Sequence, residues 1–236
     1  MTVLVVGDSV SFGYELSDLP GSASGFGNYY RDFVTGKDVP MNPSQLAYPQ
    51  LLANQMGTDC LNLSLIGGSN DRIFRLTVDQ VLQRRYDLVV CSWTSIDRFD
   101  FVYNNEEIAL NVASSQWQID QFPWLKGFIA NHYSPAHMTH RFYAQLVSLQ
   151  ALLTQLNQPY IFVNSCASSN LSEFKTHNQH YISQIDTDKY FMHETDISTV
   201  CYQQEFPRGP YGHFLEAGHQ YIALEIYKTV KELYSL

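Results

Sequence analysis

The sequence predicts an α/β domain built on a mostly parallel sheet with helices on both faces. Three observations lead there: short continuous apolar runs recur along the chain, amphipathic helical segments alternate with them, and turn-forming clusters bound the runs. The first run, Val3-Leu4-Val5-Val6, breaks at once into Gly7-Asp8-Ser9 and reads as a short buried strand. Residues 17–43, rich in Gly, Ser, Pro and Asn, read as a long loop. A helix is expected over about 45–56, with Pro49 in its first turn and Gly57 stopping it. Residues 60–64 form the second strand. The turn Ile66-Gly67-Gly68-Ser69 follows, with Ser69 as N-cap of a helix whose Ile73, Leu76, Gln80 and Val81 share a face. Strands three and four fall at 87–93 and 159–164, the latter preceded by a helix over about 139–156. A weaker strand lies near 190–192, and a closing helix from Leu215 carries Ile222, Ile226 and Val230 at helical spacing.

Residues 99–138 depart from this alternation. They are aromatic and irregular, and they follow strand three, so they should lie at the sheet's C-terminal edge. A lid or substrate wall, a packing excursion and an oligomer contact are the competing readings. The whole chain is read as one domain carrying this insertion at about 99–138.

Composition removes several classes of function. A net charge of −9 disfavours nucleic-acid binding, which needs a basic face. No run approaches the about 18 apolar residues of a membrane span, and no basic leader precedes strand one, so a cytoplasmic location without membrane contact is expected. Cys60, Cys91, Cys166 and Cys201 are widely spaced and form no CxxC pair, so neither a disulfide scaffold nor a zinc site is expected. His132, His137 and His140 are irregularly spaced around Pro135, and His177 and His180 fit a ligand set little better; no metal is expected.

Chemistry is concentrated at the strand ends. A hydroxyl attacks a carbonyl only when a base takes its proton and amide donors meet the developing oxyanion. Ser9 ends strand one, Gly67 ends strand two, and Gly209-Pro210-Tyr211-Gly212-His213 opens the last helix. A parallel sheet brings these loops to one edge.

Gly7-Asp8-Ser9-Val10-Ser11-Phe12-Gly13, Asn62-Leu63-Ser64-Leu65-Ile66-Gly67 and His213-Phe214-Leu215-Glu216-Ala217-Gly218, followed by Ala223, together resemble the SGNH, or GDSL-like, hydrolases. The motifs match GDS, N-x-S-x-x-G and the catalytic histidine with its following glycine and alanine. The resemblance runs from residue 3 to about 230, and the variant motifs are similar to those of phage-encoded SGNH-like proteins. It implies a flavodoxin-like three-layer αβα fold and hydrolysis of an ester or acyl-carbohydrate, with a small molecule or glycan ester as substrate and no metal or cofactor. By the same resemblance Ser9 is the nucleophile, His213 the base, and the Ser9 and Gly67 N–H groups oxyanion donors. The motif is not the G-x-S-x-G elbow, since Ser11 stands where its second glycine would be.

Two positions depart from the family. The GxND motif after strand three reads Thr94-Ser95-Ile96-Asp97-Arg98, so Ile96 stands where the third oxyanion donor belongs; Asn70 or Thr94 is the candidate replacement. The DxxH acid is replaced by Pro210, and a backbone carbonyl or Glu205 is the candidate acceptor for His213. Glu216-Ala217-Gly218-His219 mimics DxxH with the wrong spacing to Ala223, which ranks His219 second. Asp8, Thr94 and Arg98 are the candidate substrate-binding residues, Arg98 as a partner for an anionic group against a plain ion pair. Two further readings remain: an SGNH-fold protein of impaired activity that binds a glycan or protein, and nucleotide binding, for which no P-loop or G-x-G-x-x-G is present.

Overall fold

The computed structural model describes residues 1–19, 29–31, 38–40, 42–103, 106–112, 119–120, 123–166 and 176–234. The strands are β1 Thr2–Val6, β2 Tyr29–Arg31, β3 Asp38–Pro40, β4 Asp59–Asn62, β5 Leu88–Trp93, β6 Arg98–Tyr103, β7 Glu106–Asn111, β8 Tyr160–Asn164 and β9 Tyr190–Phe191. Five of them form one sheet in the order β4-β1-β5-β8-β9. Every pairing in it is parallel, with Val3 opposite Cys60 and Leu88, and Val90 opposite Ile161. Among the sheet strands this is the order two-one-three-four-five of the flavodoxin-like doubly wound folds.

The continuous apolar runs follow from this architecture. Alternate residues of a strand face opposite sides, so a strand buried on both faces must be apolar at every position. Leu4, Val6, Val89, Cys91 and Trp93 pack on one face against Ile73 and Val81 of the helix Asn70–Gln83 and Phe142, Leu146 and Leu149 of the helix Pro135–Gln155. Val3, Val5, Leu88, Val90 and Ile161 pack on the other against Leu52 of the helix Tyr48–Met56 and Ile222 and Ile226 of the helix Glu216–Tyr234. The result is a three-layer αβα sandwich.

The capping signals act as expected. Ser69 accepts the Arg72 N–H at the start of its helix, and Gly57 ends Tyr48–Met56 at φ 65°. The helix expected over 139–156 starts earlier, at Pro135, because Ser134 accepts the His137 N–H and proline fits the first helical turn. Within 99–138 the chain forms the antiparallel hairpin β6–β7, with Phe99 opposite Leu110, and then the helix Trp124–His132. Phe99, Leu110, Leu125 and Met138 join the core around Trp93 and Phe142. These four side chains fit the packing reading of the insertion. Of the expected loop 17–43, β2 and β3 form an antiparallel pair, and most of the rest lies outside the described residues. No helix among the described residues is long and apolar enough to cross a membrane.

Candidate active site

Strand β1 ends at the sheet's switch point, beside β5, and delivers Gly7-Asp8-Ser9 to its C-terminal edge. A Cβ on Gly7 would stand 2.4 Å from Ser11 Oγ and 2.8 Å from Ser92 Cβ, so only glycine lets the next turn fold back against β5. Asp8 caps that turn, Ser9–Phe12, by accepting the Val10 N–H. Gly13, at φ 80°, ends it. Ser9 is 5% exposed and lies in a cleft of about 410 Å³ that Arg98, Cys166, Tyr202, Arg208, Tyr211 and His213 also line. No described residue from 99 to 138 lines it.

Ser9 Oγ lies 2.9 Å from His213 Nε2. The other ring nitrogen, Nδ1, lies 3.0 Å from Glu15 Oε2. The same carboxylate accepts the His213 backbone N–H at 3.0 Å and the Tyr211 N–H at 2.8 Å. Four polar atoms of the histidine loop thus converge on Glu15 and Ser9, and the Glu15 side chain is only 6% exposed. A carboxylate fixing Nδ1–H presents Nε2 as acceptor to the serine hydroxyl, the connectivity of a nucleophile–base–acid relay. Tyr14 supports the ring edge-on, with centroids 5.1 Å apart.

Glu15 is the residue that sequence reasoning missed. The imidazole partner is neither Glu205 nor a backbone carbonyl, and Pro210 leaves no acid in the histidine loop itself. Glu15 instead sits just past the serine turn, between buried Tyr14 and Leu16, at φ 74°. A non-glycine residue held in the left-handed region costs on the order of 1–2 kcal/mol and persists where its surroundings enforce it. Gly209 is part of that enforcement: a Cβ there would lie 2.4 Å from Glu15 Oε1. The signal in the sequence was only an acid in an apolar setting and a glycine four residues before the histidine, and neither points to the other without the fold.

The second motif packs against the serine turn. Asn62 donates from Nδ2 to the Ser11 carbonyl at 2.8 Å and accepts the Ser64 N–H, tying strand β4 to the serine turn. Leu65 N–H donates to the Gly7 carbonyl at 3.1 Å, and a Cβ on Gly68 would lie 3.1 Å from that same oxygen. Gly67, at φ 76°, therefore turns beside Gly7-Asp8-Ser9. Neither the Ser9 nor the Gly67 N–H has a hydrogen-bond acceptor among the described residues.

Asn70 does different work from that expected of an oxyanion donor. Its Nδ2 donates to the Thr94 carbonyl at 3.0 Å and the Ser95 carbonyl at 3.5 Å, while Oδ1 accepts the Thr94 N–H at 2.9 Å. Both ends of the amide clamp the loop after β5. Asp8 and Thr94 are likewise engaged with the protein. Asp8, fully buried, accepts from Thr94 Oγ1 at 2.8 Å and Ser165 Oγ at 3.0 Å, and Cys166 Sγ is 3.4 Å away. Arg98 Nη1 lies 3.4 Å from Asp8 and 2.9 Å from Thr94 Oγ1. Burial pushes the Cys166 thiol up to about 11, so it stays protonated beside the serine.

His219, the second-ranked histidine, is a core residue. Its Nδ1 accepts the Tyr48 N–H at 3.1 Å, capping a helix start that has no side-chain cap of its own, and its ring packs on Phe214 at 4.5 Å. Burial, reinforced by His213, lowers its pKa to about 3. Among the described residues no group of three or more His, Cys, Asp or Glu could hold a metal ion.

The fold is one that G-D-S-L-type and carbohydrate esterases share. The chain is similar in structure to the psychrotrophic esterase EstA from Pseudoalteromonas sp., with TM-score 0.55 and 12% identity, over 100% of this chain and 99% of that one. It is similar to a carbohydrate esterase family 2 enzyme with its carbohydrate-binding domain from Myceliophthora fergusii, with TM-score 0.54 and 13% identity, over 100% of this chain and 67% of that one. A G-D-S-L family protein from Desulfitobacterium hafniense DCB-2 matches with TM-score 0.50 and 11% identity, over 97% and 98%. By sequence, residues 41–228 match the family of unknown function DUF6071, and the chain belongs to that family. The matched span contains Gly67 and His213 and begins after Ser9 and Glu15. No curated protein matches the chain.

Proposed function

We propose that this chain is a serine hydrolase of the SGNH type that cleaves carboxylic esters, with acylated carbohydrates among its substrates. The observation that carries the reading is the continuous chain Ser9 Oγ, His213 Nε2, His213 Nδ1, Glu15 Oε2, with links of 2.9 and 3.0 Å. His213 takes the Ser9 proton as Oγ bonds to the ester carbonyl. The oxyanion is met by the Ser9 and Gly67 N–H groups, and Glu15 stabilises the imidazolium. His213 then protonates the departing alcohol. Water, deprotonated by the same imidazole, releases the acid from Ser9 and restores the hydroxyl. The esterase and carbohydrate esterase names of the structural neighbours support the reaction class.

One observation favours a second reading, an SGNH-fold binding protein of impaired activity. Asn70 is committed to Thr94 and Ser95, and losing one oxyanion donor costs about 10²- to 10³-fold in rate. One experiment separates the two. Parent protein is expected to hydrolyse 4-nitrophenyl acetate and to be labelled at Ser9 by a fluorophosphonate. Ser9→Ala is expected to lose the label and about 10³-fold or more of the rate. A folded parent that neither labels nor hydrolyses supports the binding reading, and a Ser9→Ala protein as fast as the parent overturns the assignment of Ser9.

A further inference from the structure

The cleft over Ser9 holds two arginines in different electrostatic states. Arg98 has a counter-charge in Asp8, 3.4 Å away, and its buried Nε–H has no hydrogen-bond partner among the described residues. Arg208 is in no ion pair among the described residues. Its guanidinium lies over the Tyr202 ring, with Cζ 4.5 Å from the centroid, and both Tyr202 and Tyr211 are more than half exposed beside it. The backbone there is fixed. Arg208 pairs with Phe214 as an antiparallel bridge, Gly209 N–H donates to the His213 carbonyl at 2.9 Å, and Leu215 N–H donates to the Pro207 carbonyl at 2.8 Å. Arg208 and His213 are thus two arms of one closed loop, with the Glu15 carboxylate held beneath it.

An uncompensated cation on the loop that carries the base is a local attractor for an anion in a chain whose net charge is −9. A guanidinium offers parallel N–H donors matched to a carboxylate. We propose that the ester cleaved at Ser9 carries a carboxylate, which Arg208 pairs while the ester carbonyl lies at Ser9 Oγ. The inference rests on the hydrolase reading of Ser9 and His213 and adds the substrate class. The carboxylate has two sources: the alcohol side, as in an acetylated uronic acid, or the acyl side, as in the half-ester of a dicarboxylic acid.

The test compares kcat/KM for two matched pairs. 4-Carboxyphenyl acetate against phenyl acetate reports the alcohol side, and the mono-4-nitrophenyl ester of succinate against 4-nitrophenyl butyrate reports the acyl side. Arg208→Gln is expected to lower the charged-to-neutral ratio about tenfold in one of the pairs, and Arg208→Lys to restore part of it. A ratio unchanged by Arg208→Gln in both pairs overturns the proposal. In parallel, Ser9→Ala protein is titrated calorimetrically with glucuronate and with succinate, with and without Arg208→Gln. A tenfold weaker Kd on losing Arg208 supports the anion site even where the parent hydrolyses nothing, which would sink the hydrolase reading alone; equal affinities overturn the site.

Discussion

The two carboxylates that flank Ser9 have opposite fates. Asp8 is fully buried and gathers the ends of three strands: its oxygens meet the Val10 N–H after β1, Thr94 after β5 and Ser165 after β8. Glu15, among the described residues, takes only the histidine loop, through one ring nitrogen and two backbone N–H groups. The first carboxylate fixes where the serine stands, and the second fixes how the His213 imidazole faces it. A site assembled from loops distant in sequence needs both.

That division is sharpest at Glu15. Glu15→Gln keeps one acceptor oxygen, sets an NH2 against either the Tyr211 or the His213 N–H, and loses the charge that stabilises an imidazolium and selects its tautomer. Ester hydrolysis is expected to fall about 10²- to 10⁴-fold, while the one backbone N–H left facing a donor costs about 1–3 kcal/mol in urea unfolding. A variant within tenfold of the parent would remove the distinction between the two carboxylates.

Asp8→Asn should reverse the pattern. It leaves Arg98 without its counter-charge and replaces an acceptor oxygen facing Thr94, Ser165 and Cys166 with a donor. Breaking one side of a buried charged network costs about 2–4 kcal/mol, so equilibrium urea unfolding should shift strongly. The fraction that remains folded should still label with fluorophosphonate. Full stability with abolished labelling would instead put Asp8 in direct contact with substrate.

The same division explains what the sequence revealed. The sheet was legible because β1, β5 and β8 are buried on both faces, and such strands leave continuous runs such as Val3-Leu4-Val5-Val6 that no loop would carry. Ser9, Gly67 and His213 were legible because each stands in a local motif whose neighbours encode its own turn. Glu15 was not. Its partner is His213, 198 residues away, and the pairing exists only because Gly209 lets the two loops touch. Asn70 misled for the converse reason: an amide near the serine looks like an oxyanion donor until its partners at Thr94 and Ser95 are seen. The hairpin β6–β7 was hidden by aromatic residues that satisfy a wall and a core equally well.

A second pair refines the contrast, since His213 and His219 lie on either side of Phe214 with opposite environments. His213 is 22% exposed at its side chain and bonded to two functional groups, whereas His219 is 1% exposed and caps Tyr48. With its pKa lowered to about 3 by burial first and His213 second, His219 stays neutral in the native protein down to acid pH. In the unfolded chain an ordinary histidine protonates near pH 6.5. Between those values the unfolded state binds the extra proton, so native stability falls as pH falls, by about 2 kcal/mol at pH 5. His219→Phe removes that titration and loses the Tyr48 cap, a cost of about 1 kcal/mol at pH 7.5. Urea unfolding at both pH values should therefore find the variant weaker at pH 7.5 and nearly level with, or above, the parent at pH 5. Parallel losses in the two proteins would mean that the buried imidazole is not the acid-sensitive group.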